Sequence, residues 1–193
     1  MTPDLSNGIV LQLDRLVETN HSDSAKGGIL SRAHSAMNQP LRSVTHKPVA
    51  PPGGSLHDYW SIGPYWWPDE SKPGGLPYAR RDGHVNPEHG GDRYDRARLD
   101  AFTREMVDLA LAAMVLGHAE FADRAVAMLQ AWFIDPATRM NPNLRFGQSI
   151  PGVCDGRGIG LIDTQSLVGL LDAVMMLRRI DAIEVGLLQG LRQ

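Results

Sequence analysis

One cysteine in 193 residues, Cys154, cannot close an internal disulfide, so the fold must rest on its hydrophobic core. The chain also lacks a basic run. With a net charge of −3 it carries no arm for nucleic acid, and any anionic partner must be held by a local cluster of arginines. No apolar stretch approaches the roughly 20 residues of a bilayer-spanning helix, so the sequence predicts no membrane partner. The opening Met1-Thr2-Pro3-Asp4-Leu5 has neither the basic nor the apolar region of a secretion signal. Aromatic residues are scarce, and their placement is therefore informative. Three of the four tryptophans and two of the four tyrosines fall between His57 and Pro68. Prolines and a glycine interrupt that stretch, which excludes a regular helix or a central strand. Flat apolar rings on a loop suit the C–H faces of a sugar, although a hydrophobic plug over the helices would use the same residues.

The length suits one domain with a substantial core. Residues 8–18 have helical spacing, and Ile29 to Met37 can form a second helix. From Pro40 to about Asp95 the chain is rich in Pro and Gly, and a connection that long is expected to be functional. Leu99, Phe102, Met106, Leu109, Ala113 and Leu116 then recur at helical period, with Asp95 or Asp100 as cap and Gly117 as stop. Phe121 to Phe133 forms the next helix, ended by Asp135-Pro136. Another Pro/Gly-rich stretch leads to a helix from Asp163 or Thr164 carrying Leu167, Leu170, Leu171, Val174 and Leu177. No segment alternates as a strand would, so the expected fold class is all-α, built of helical hairpins. Helical spacing continues through Ile183, Leu187, Leu188 and Leu191 to Gln193 without a cap. This predicts a truncated chain, with a docked terminal helix as the alternative.

Four clusters carry candidate chemistry. The aromatic loop offers Trp60, Tyr65, Trp66 and Trp67 to a sugar, with His57 and Tyr59 as candidates for proton transfer. Arg80 and Arg81 can hold a carboxylate bidentately, or pair with Asp82 and Glu88 on a solvated loop. Asn141, Asn143 and Gln148 provide neutral donors and acceptors, although Asn before Pro is also simple turn chemistry. Arg157 lies in the glycine-rich Asp155-Gly156-Arg157-Gly158-Ile159-Gly160, where the backbone can approach a ligand, though no nucleotide-binding pattern is present. His57 with Asp58 and His84 with His89 lack the spacing of a metal site, so neither metal nor cofactor is expected.

His57-Asp58-Tyr59-Trp60-Ser61, Tyr65-Trp66-Trp67-Pro68, Gly75-Leu76-Pro77-Tyr78 and Arg80-Arg81-Asp82-Gly83 follow one another in a recognisable order. Ala131-Trp132-Phe133, Asp135 through Leu144, Gln148, Ile150-Pro151-Gly152 and Asp155 through Thr164 continue it. The whole resembles the alginate lyase domain family of polysaccharide lyases. The resemblance implies a partial (α/α) toroid over residues 40–193, preceded by N-terminal helices over 1–39, with bacterial origin and often periplasmic residence. A cytoplasmic location stays open without a visible signal. It also implies β-elimination on an acidic polysaccharide of the alginate or glucuronan type. Its main acid/base groups are expected in an Asn-Asn-His motif and a later tyrosine, and neither occurs before Gln193. The expected function is therefore that of an incomplete polysaccharide lyase, which a second polypeptide could complete. The alternatives are a non-catalytic carbohydrate-binding module and a helical interaction domain.

Overall fold

The computed structural model describes residues 21–191; the predicted helix over 8–18 and Gln193 lie outside the described residues. Helix α1 spans Asp23–Met37, starting six residues ahead of Ile29 because the Ser22 hydroxyl caps it by accepting from the Ala25 N–H. Its inner face is Ile29, Ala33 and Ala36. Helix α2, Arg96–Leu116, is the central element and packs against α1, against α3 (Ala119–Leu129) and against α4 (Leu167–Arg179). Leu99, Phe102, Met106, Leu109 and Ala113 are buried at the predicted period, and Gly117 ends the helix with φ 73°. After α3 the backbone widens into a π turn over Gln130–Ile134. That turn brings the fully buried Trp132 onto Phe102 at a ring separation of 4.5 Å. Each such core side chain contributes about 1.5–3 kcal/mol through burial. A short helix α5, Val185–Gly190, closes the described chain.

The all-α expectation is corrected by two small sheets. Strand β1 (Trp60–Ile62) pairs in parallel with β4 (Phe146–Ser149), matching Trp60 to Phe146 and Ile62 to Ser149 across an irregular register. Strand β2 (Trp66–Trp67) pairs antiparallel with β3 (Ala79–Arg80). Strands of two to four residues are too short for alternation to register in a sequence. The β1–β4 pair is what joins the two Pro/Gly-rich segments. A second core of Trp60, Ile62, Tyr94 and Phe146 supports it, with Trp60 edge-on to Tyr94 at 4.8 Å.

The glycine-rich segment serves this join. A Cβ on Gly156 would lie 1.9 Å from the Arg145 carbonyl oxygen, and one on Gly160 would lie 2.7 Å from that of Gly147. These glycines let the loop lie directly on the backbone at β4. The loop continues as a 3₁₀ helix, Gly158–Ser166, into α4. The helical run Gly158–Arg179 is 22 residues long, enough by length and composition alone to cross a membrane, where the sequence predicted no such run. Its inner side, through Leu170, Ala173 and Leu177, is buried in the core, while Ile159, Leu161, Ile162, Val168 and Leu171 are exposed.

Candidate active site

Two buried carboxylates fix the aromatic loop. Asp95, just ahead of α2, accepts the Trp60 N–H at 2.9 Å and pairs with Lys47 at 2.9 Å and with Arg98 at 2.5 Å. Lys47 also donates to the carbonyls of Val44 and Leu56. Burial pushes the Lys47 ammonium below, and the Asp95 carboxyl above, their ordinary ranges.

The second carboxylate, Asp163, is wholly buried. One oxygen accepts from the Tyr59 hydroxyl at 3.1 Å and from the Ser61 hydroxyl at 2.5 Å. The other accepts from Gln148 Nε2 at 3.1 Å and from Arg96 at 3.0 Å. Ser61 Oγ in turn accepts the Gln148 N–H at 2.7 Å. Gln148 sits at φ 50°, a left-handed conformation that a non-glycine residue adopts only when its surroundings hold it there. Its side-chain oxygen and backbone carbonyl accept from Arg157 Nη2 at 3.0 Å and Nε at 2.8 Å. The guanidinium lies over Gly63, where a Cβ would meet Arg157 Nη2 at 2.5 Å and Trp66 Cδ1 at 2.6 Å. Arg157 and Trp66 thus converge on one glycine.

Trp66 and Trp67 form one arm of the β2–β3 flap. The Trp67 indole donates to the His84 carbonyl, and Arg81 lies 5.4 Å from the centre of its ring. The Tyr65 carbonyl accepts the Arg81 N–H at 2.8 Å, and its side chain is exposed. Arg80 pairs with Asp82, both side chains being exposed. The fold therefore groups Tyr65, Trp66, Trp67, Arg80 and Arg81 on the flap, with Gln148 and Arg157 adjoining at Trp66.

Other expected residues belong elsewhere. Asn141 donates to Asp58 at 2.8 Å, and its N–H bonds the His57 carbonyl at 2.9 Å. Asn143 Oδ1 accepts the Arg145 N–H. Burial opposes the Asp58 charge, but hydrogen bonds from Asn141, Ser55 and Asn143 outweigh it and hold its carboxyl below the usual range. The two asparagines thus serve turn chemistry. His57 Nδ1 donates to the Arg139 carbonyl at 2.7 Å, which leaves Nε2 as the acceptor of the neutral ring. Tyr59 is 1% exposed, its phenol pushed far up by burial and committed to Asp163, so the geometry gives it a network role. Trp60 is likewise buried, its indole donating to the Ser149 hydroxyl at 3.0 Å. One side of Trp60 borders a cavity of about 430 Å³, shared with Tyr78, Arg93, Tyr94 and Phe146. Among the described residues no three of His, Cys, Asp or Glu converge as metal ligands.

Sequence reasoning missed Asp163 and Ser61 as partners of Gln148, Arg96 as a partner of Asp163, and Lys47 with Asp95. Asp95 and Asp163 were read as helix caps, and nothing local separates a capping carboxylate from a buried one. Arg93, 5.3 Å from the Trp60 ring centre, had a usable signal in its tyrosine neighbour, Tyr94.

A solved structure of an alginate lyase from Bacteroides ovatus is similar to this chain, with 36% sequence identity and a TM-score of 0.84. The match covers 96% of this chain and 49% of that one, so this chain spans about half the length of that lyase. No curated protein sequence matches. The sequence model of the alginate lyase family matches residues 43–193, which include the flap, Gln148, Arg157 and Asp163. On that match and that likeness, the chain belongs to the alginate lyase family.

Proposed function

We propose that the chain takes part in β-elimination on a 1,4-linked uronic-acid polymer, binding it across the flap and Arg157. The observation that carries this reading is a half-buried guanidinium with no acidic partner. Arg157 is held on two of its donors by Gln148, beside Trp66, and among the described residues no carboxylate pairs with it. A half-buried guanidinium without a counter-charge favours an anionic ligand. The indole beside it suits a sugar ring. Carboxylate and ring face together describe a uronate.

The chemistry makes such a group useful. The C5 proton of a uronate is weakly acidic while the adjacent carboxylate keeps its full charge. Donors on the carboxylate stabilise the enolate-like intermediate that forms when a base removes that proton. The electron pair then forms the C4–C5 double bond, the C4–O4 bond breaks, and an acid protonates O4. Arg157 supplies the first function here. Of the resident candidates for proton transfer, His57 keeps an acceptor, Nε2, although it lies by Arg139 and Asn141 and not on the flap. Tyr59 does not serve, because its phenol is enclosed.

The experiment is to incubate the purified chain with alginate and with glucuronan and follow the ultraviolet absorbance of the C4–C5 unsaturated product, with binding measured in parallel by calorimetry. Rising absorbance supports elimination by this chain. Binding without any rise supports the non-catalytic carbohydrate-binding reading. Neither signal with either polymer would sink the proposal.

A further inference from the structure

We infer that Asp163 and Gln148 are positioning residues that aim Arg157 end-on at a single uronate carboxylate, and so set the preference for acidic over neutral sugar. The inference rests on the proposed uronan reading and extends it to residues that never touch the sugar.

The argument begins with hydrogen-bond polarity. An ionised carboxylate only accepts and a guanidinium only donates. Gln148 stands between the two, so its amide has one orientation: Nε2 toward Asp163 at 3.1 Å and Oε1 toward Arg157 at 3.0 Å. The backbone enforces the same geometry. The left-handed φ of 50° turns the Gln148 carbonyl to accept Arg157 Nε, while its N–H is held by Ser61. Asp163 is itself immobilised by Tyr59, Ser61 and Arg96. The chain Arg96–Asp163–Gln148–Arg157 therefore crosses from the start of α2, through the segment leading into α4, to the flap, with each amide and carboxylate group oriented by the last.

The guanidinium shows the consequence. Gln148 occupies the Nε/Nη2 side, so the free donors are on the Nη1/Nη2 end. That end presents two parallel N–H groups, the pattern a carboxylate accepts bidentately. Gly63 keeps the approach beside Trp66 open, since a Cβ there would collide with both residues. The strained backbone at Gln148 is thus explained by what it holds.

The test compares two trisaccharides of the same β-1,4 linkage, mannuronic acid and mannose, which differ only in carboxylate against hydroxymethyl. Binding to the full chain is measured by calorimetry for the wild type, Arg157→Lys, Gln148→Met and Asp163→Asn. Gln148→Met keeps the side-chain volume, so the test survives if Asp163→Asn fails to fold. The expected result is about a tenfold loss of mannuronate affinity in Gln148→Met and Arg157→Lys, with mannose affinity unchanged. A merely structural role would lower both affinities together and overturn the inference. So would a wild type that prefers the acidic sugar alongside variants that keep the preference. A wild type that does not prefer mannuronate overturns the inference, and the polymer assay with alginate and glucuronan then decides the uronan reading separately.

Discussion

Lys47 and Asp95 face each other at 2.9 Å with both side chains fully enclosed. The pair joins the segment before β1 to the start of α2, and Asp95 also holds the Trp60 N–H. Removing Lys47 leaves Asp95 buried with Arg98 as its remaining counter-charge, and takes the donor from the carbonyls of Val44 and Leu56. Lys47→Met is therefore expected to destabilise the protein by about 3–5 kcal/mol, whereas Lys47→Met combined with Asp95→Asn recovers part of that loss. Urea unfolding followed by tryptophan emission measures both. A single variant within 1 kcal/mol of wild type, as expected of a surface pair, would show the pairing to be unimportant.

Tyr94 gives a pH dependence of definite sign. Burial pushes its phenol up from 10.0 to about 12. Above pH 10 the unfolded chain loses this proton while the folded chain keeps it. The folded state then binds more protons, and stability falls as pH rises through the window between the two values. Tyr94→Phe keeps the edge contact with Trp60 but removes that share of the slope, up to about 2–3 kcal/mol across the window. Urea midpoints of both proteins between pH 9 and 11.5 test it; equal slopes would refute it.

Gly156 and Gly158 are neighbours in one motif with opposite sensitivities. Gly156→Ala places a methyl 1.9 Å from a backbone oxygen, which only movement of β4 or of the loop can relieve. A loss of about 2–4 kcal/mol is expected, against less than about 1 kcal/mol for Gly158→Ala, which meets nothing within 4 Å. Thermal unfolding of the pair is sufficient, and similar melting temperatures would contradict the packing described for the loop.

Leu171 and Leu177 occupy opposite sides of α4, 67% and 0% exposed. Leu177→Ala is expected to cost about 2–5 kcal/mol, while Leu171→Glu changes stability by less than about 0.5 kcal/mol and lowers binding of a hydrophobic dye. Calorimetric melts and dye fluorescence separate the two faces. An equal destabilisation by both variants would contradict the assignment of inner and outer sides.

The helices were legible because their signals are local. The period from Leu99 to Leu116 marked the buried face of α2, and Gly117 marked its end. The strands were not, because β2 and β3 have two residues each and β1 finds its partner only after α2 and α3 have intervened. The same divide runs through the candidate site. Trp66, Arg157 and Gln148 stood out as residue types fit for a sugar acid, but nothing near Asp163 in the sequence reveals that Tyr59 and Ser61 donate to it from about 100 positions away. The asparagines show the converse. Asn141 and Asn143 have the right groups for a ligand, and Asp58 with the neighbouring backbone uses them.

The pairing of β1 with β4 also bears on the order in which the molecule assembles. Ser61 and Gln148 are 87 positions apart, and their contact closes a loop containing α2 and α3. Closing so long a segment is entropically costly until those helices have shortened it, so helix docking should precede formation of the rim. In refolding, far-ultraviolet circular dichroism is then expected to recover before the emission of Trp60, and sugar-binding competence last of all. Coincident recovery of all three signals would mean that rim and helices form in a single step.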